Sequence, residues 1–149
     1  MNLLSEITLK WYDDSSLMLE DRRELVELFL DSLGVSRNVA ADVFEALLQA
    51  KAGNISLTST QLKTGIIELR NKRGLDVDKG LSLRNIQLWL KFFRKLGMVE
   101  KIGGRYLFKG NKKPAVVFRE NVKPEVVDKS AEYLCRLLEE LENRYEIKR

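Results

Sequence analysis

The chain has 149 residues, 44% hydrophobic and 32% charged, with a formal net charge of +4. That is enough apolar content for one domain-sized core, with a charged share above the ~25% usual for globular proteins. It contains no histidine and a single cysteine, Cys135, which removes the commonest general base and metal ligand, any internal disulfide and any cysteine zinc cluster.

Cysteine usage makes a reducing, cytoplasmic setting the expectation. No apolar run approaches the ~18–20 residues of a membrane span, and the N-terminus carries no basic-then-apolar leader pattern, so no membrane partner is expected. The charge is unevenly placed. Residues 1–59 hold 5 Lys+Arg against 10 Asp+Glu, residues 60–113 hold 14 against 4, and residues 114–149 hold 7 against 8. A basic middle third between acidic and near-neutral thirds is the asymmetry of a surface that meets a polyanion.

In chain order, Ile7 to Tyr12 is strand-prone, either a short strand or an extended arm. Asp13 to Ser16 is a turn and capping cluster. Leu17 to Leu33 has the apolar spacing of a helix, with Glu20, Asp21 and Glu24 near its N-terminal, positive end, and Gly34 stops it. Ser36 is the expected cap of a second helix running to Ala52, with Val39, Val43, Phe44, Ala46, Leu47 and Ala50 facing in. Ile55 to Leu57 suits a short strand. Thr58 and Gln61 have the spacing of a capping box, so a third helix follows, burying Leu62, Ile66, Ile67 and Leu69. Gly65 weakens that helix unless it serves close packing. Asp76 and Asp78, in the connection after it, resemble the start of a calcium loop, but the remaining ligands are absent.

The most informative stretch is Leu81 to Phe108. Ser82 is a good N-cap, and Leu83, Ile86, Trp89, Leu90, Phe93 and Leu96 recur on one helical face. Gly97 sits at the C-cap. Two short strand-like runs, Met98 to Ile102 and Arg105 to Phe108, flank Gly103-Gly104, a pair suited to a turn with positive φ at both positions. At ~100° per residue, Arg84, Gln87, Lys91, Arg94 and Lys95 fall opposite Ile86 and Phe93. None of the five is acidic.

Ala115 to Phe118 is strand-prone, and Lys123-Pro124 reads as the start of a final helix with proline at its first position. In that helix Val127, Ala131, Leu134, Leu138, Leu141 and Tyr145 alternate by four and three residues, an a/d register. It serves either as a dimerisation seam or as a cap on its own domain. Cys135 beside the seam is expected to be a buried small hydrophobe.

The order helix, short strand, helix, helix, hairpin, with the string FRKLGMVEKIGGRYLF, resembles the winged helix-turn-helix family over residues 36–108, and within it the MarR-type and archaeal TrmB-type transcription regulators. The implied fold is mainly α with a small β-hairpin (α+β): an N-terminal arm and helix (1–35), a winged domain (36–118) and a C-terminal dimerisation helix (119–149). The implied function is sequence-specific binding of double-stranded DNA by a homodimer that regulates transcription, with the 82–96 helix in the major groove and the 98–108 hairpin on the backbone or minor groove. Arg84, Asn85 and Gln87 are then the candidates for base edges. Lys91, Arg94, Lys95, Thr60, Lys63, Lys101 and Arg105 are the candidates for phosphate and groove contacts. The Lys72–Leu81 connection is longer than the turn such regulators use; either the preceding helix is longer or the loop is an insertion whose Lys72, Arg73 and Lys79 reach a phosphate. The alternative function is a winged-helix protein-interaction or RNA-binding subunit of a nucleic-acid-processing assembly. Neither a cofactor nor catalysis is expected: there is no glycine-rich phosphate loop and no nucleophile–base pair, and Glu68, Asp76, Asp78 and Glu100 are scattered.

Overall fold

A computed structural model describes residues 1–149. Four helices come first: α1 (Arg22–Ser32), α2 (Asn38–Ala52), α3 (Ser59–Lys72) and α4 (Leu83–Leu96). An antiparallel hairpin follows, β1 (Val99–Ile102) and β2 (Arg105–Phe108), in the register Val99↔Phe108 to Ile102↔Arg105. The chain then rises through a short α5 (Pro114–Val117), a π-helical segment (Phe118–Val127) and α6 (Asp128–Arg144), which join as one continuous rod. The fold is mainly helical with a small two-stranded sheet.

Local chemistry sets most boundaries. Thr58 and Gln61 form the expected reciprocal capping box on α3. Ser82 accepts from the Asn85 amide at the start of α4, and Gly97, at φ 94°, closes it in the left-handed conformation. Gly103 and Gly104 both have positive φ, 56° and 77°, the type I′ geometry whose twist matches the strands.

Other expectations are corrected, or narrowed where two readings stood open. The helix expected from Leu17 begins at Arg22, because Asp21 takes the cap by accepting from the Arg23 amide; Asp14–Met18 is a separate 3-10 turn. Arg37, with no side-chain bond, stands at the α2 cap in place of Ser36. The Ile55–Leu57 strand reduces to a single bridge, Leu57 to Tyr106. Ile7 to Tyr12 is an extended arm, pinned where the Lys10 amide donates to the Ser32 carbonyl at 2.7 Å and where Tyr12 hydrogen-bonds Asp31. Gly65 serves no close packing: a Cβ there would meet nothing within 4 Å.

The largest correction concerns the C-terminal helix. Ala115 to Phe118 is helical, and it is Pro114 that stands at a first helical position. Pro124 lies inside the rod. In a regular α-helix its ring would clash with the carbonyl four residues back and it would donate nothing. The segment widens instead, so that the Asp128 amide donates to the Lys123 carbonyl five residues back. The widened turns explain the spacing of Val117, Val122 and Val126, all buried on one face.

One core of 23 buried residues runs from Val26 and Leu30 of α1 through α2, α3, α4 and the hairpin to Val126. Phe44 of α2 stands near its centre, with ring centroids 5.0 Å from Phe29, 5.3 Å from Phe93 and 5.7 Å from Phe108. Burying Ile86, Leu90, Phe93 and Leu96 anchors α4 here, each side chain contributing about 1.5–3 kcal/mol.

Candidate nucleic-acid interface

The inward face of α4 is fixed by those four residues, so its outward face is fixed too. Arg84, Gln87, Leu88, Lys91, Arg94 and Lys95 are all exposed and occupy one arc of about 120° at ~100° per residue. None of its four cations forms an ion pair; every salt bridge in the chain lies elsewhere. Leu88, an apolar residue, stands at one edge of the arc, beside the half-buried Asn85 and Phe92.

The other expected residues are dispersed. Thr60 is exposed in the first turn of α3, and Lys63, half-buried one turn later, has no ion-pair partner. Arg105 folds back, its guanidinium donating to the Ser56 carbonyl and to the Gln61 side-chain oxygen, each at 3.1 Å. With the Leu57–Tyr106 bridge, this ties the hairpin's return strand to the start of α3. Lys101 lies over the Tyr106 ring, 5.4 Å from its centroid. Asn85 is half-buried and its amide donates to the Gly80 carbonyl at 2.8 Å, so it holds the incoming loop rather than lying free on the arc.

Between α3 and α4 the connection is a true loop, since α3 ends at Lys72. Its conformation is held by Arg70, whose guanidinium donates to the carbonyls of Asp76 (3.2 Å), Val77 (3.3 Å) and Lys79 (2.8 Å). Arg70 is in turn held by Asp42 of α2, at 2.7 and 3.1 Å. The other Asp42 oxygen accepts from Arg23 of α1 at 2.7 Å, and Arg23 also reaches Glu45 at 3.2 Å and Glu27 at 2.9 Å. Arg73 grips Glu45 with both terminal nitrogens, at 2.8 and 2.6 Å, leaving Lys72 and Lys79 as the unpaired cations near the loop. Burial opposes charge on Glu45, but bonds and charges from Arg73 and Arg23 outweigh it and hold its carboxyl below the usual range.

This network was not anticipated. Its signal in the sequence is two acids, Asp42 and Glu45, on the otherwise apolar run of α2. It aims the N-terminus of α4 by fixing the loop that feeds it. Asp76 and Asp78 do not converge on a site; the Asp76 carboxylate accepts from the Asp78 amide. No group of three or more His, Cys, Asp or Glu side chains is placed to hold a metal ion.

The rod ends in a second exposed feature. No residue of α6 is buried, so α6 is not a cap on its own domain. Leu134, Leu138, Leu141 and Tyr145 are 58%, 60%, 50% and 76% exposed, and Ala131 is exposed beside them. Val127 differs: it packs against the core. Cys135 is exposed, contrary to expectation. No helix is long and apolar enough to cross a membrane. Compared with known protein families, characterised proteins and solved structures, the chain matches none.

Proposed function

We propose that the chain is a winged helix-turn-helix protein that binds double-stranded DNA sequence-specifically and regulates transcription in the cytoplasm. The observation that carries this reading is the α4 arc. Its four cations and one amide stand without a single carboxylate partner, although the same fold pairs Arg23, Arg70 and Arg73 with acids. An unpaired basic arc on a rigid helix, followed by a basic hairpin, complements phosphates on either side of a major groove. In this reading α4 enters the groove, Arg84 and Gln87 meet base edges, and Lys91, Arg94, Lys95 and Lys63 meet phosphates. Thr60, Lys101 and Arg105 lie toward the flanking backbone.

The exposed stripe on α6 supports a homodimer, with Leu134, Leu138, Leu141 and Tyr145 as the seam. A symmetric pair would present two α4 helices to half-sites about 34 Å apart. The same stripe also suits a different protein, as expected of a subunit in a nucleic-acid-processing assembly; the mass of the purified chain in solution separates the two.

The test is the salt dependence of binding to a fluorescently labelled duplex. Four phosphate contacts per protomer give a slope of log affinity against log salt of about −3.6 for one protomer and about −7.2 for the homodimer. A flat plot, or no duplex binding at low salt, overturns the reading.

A further inference from the structure

Leu88 is the anomaly of the α4 arc. It is 54% exposed, on the same outward face as Arg84, Gln87, Lys91 and Lys95. The inward face is already filled by Ile86, Leu90 and Phe93, all essentially inaccessible, so the core does not require Leu88. Scattered exposed leucines are ordinary on a protein surface. This one stands one helical turn after Arg84, at the edge of the basic face, where that face meets the half-buried Asn85, Trp89 and Phe92.

Resting on the DNA reading above, we propose that Leu88 is a specificity residue that packs against the C5-methyl group of a thymine in the major groove. The major groove presents one apolar group, the thymine methyl; all its other distinguishing features are donors and acceptors. A leucine neither donates nor accepts, so on a groove-facing surface thymine is the base it favours. The geometry also fixes the neighbourhood. Four residues of helix advance about 6 Å, against about 3.4 Å per base step. The thymine that Leu88 contacts therefore lies within about two steps of the base that Arg84 contacts, for which guanine is the bidentate partner.

The experiment uses the full chain and the tightest duplex selected from a random pool. Each thymine is replaced in turn by deoxyuridine, which removes only the methyl group and leaves pairing intact. The expected result is a loss of about fourfold at one thymine per half-site, the weight of one buried methyl group, and near-unchanged binding at the others. In Leu88→Ala the same replacement has no further effect, while its thermal unfolding matches that of the parent chain because the side chain lies outside the core. Duplex binding that is indifferent to every thymine-to-uracil replacement overturns this assignment and leaves the DNA reading standing, as does discrimination that persists in Leu88→Ala. Absence of duplex binding overturns both.

Discussion

Replacing Asp42 by asparagine removes one charge and leaves the shape of the side chain. Asp42 is 2% exposed, and its two oxygens accept three hydrogen bonds from two guanidinium groups, at 2.7, 2.7 and 3.1 Å. Arg23 retains Glu45 and Glu27 after the change. Arg70, 5% exposed, retains only the loop carbonyls and becomes a buried cation without a carboxylate. The asparagine NH2 also points a donor at a donor. Removing one partner of a buried ion pair costs about 3–5 kcal/mol, a large part of the ~5–15 kcal/mol that holds a typical domain together. Equilibrium urea unfolding followed by circular dichroism reads this directly. Glu27→Gln is the control: Glu27 is half exposed and pairs with the same Arg23, so it should cost no more than about 1 kcal/mol. If Asp42→Asn costs under about 1 kcal/mol, the network is not what joins α1, α2 and the α3–α4 loop.

Two further expectations concern stability. Because the Glu45 carboxyl is held below its usual range, the unfolded chain takes up that proton first, so the stability it contributes is present above the unfolded pKa near 4.3 and is lost as pH falls through the lower folded value; the unfolding free energy of Glu45→Gln should fall less steeply across this acid range than that of the parent chain. Gly65→Ala should raise the unfolding free energy by up to about 1 kcal/mol, since the residue is inside α3 with open space where the methyl group would go; a loss of stability would mean that α3 needs that glycine.

The parts of the fold legible in the sequence are those decided within a few residues. Ser82 and Gly97 bound α4, Thr58 and Gln61 start α3, and Gly103-Gly104 turns the hairpin, because each answers a local backbone demand. The α4 arc was legible because periodicity alone separates Ile86, Leu90 and Phe93 from the residues opposite them. Asp42, Arg23 and Arg70 were not, since their bonds join residues 19 and 28 positions apart, and composition does not say which acid meets which base. Pro124 misled for a different reason. Proline marks a helix start or break only when the helix stays α; here the turns widened and the helix ran through it. Asn85 and Arg105 share the chemistry of groove-contacting residues, but at the surface of the fold Asn85 also bonds the Gly80 carbonyl, and Arg105 the Ser56 carbonyl and the Gln61 side chain.

The central claim is that the unpaired arc of α4 binds duplex DNA, and a matched pair of charge reversals tests it. Lys91→Glu with Arg94→Glu changes the arc; Lys148→Glu with Arg149→Glu makes the same change in net charge at the exposed C-terminal end. With affinity for one labelled duplex measured at ~0.1 M salt, the arc variant should lose roughly 100-fold or more through two lost phosphate contacts and added repulsion, with its unfolding midpoint unchanged and the C-terminal variant within about threefold of the parent. Equal losses in the two variants would mean that net charge, and not this helix face, governs binding.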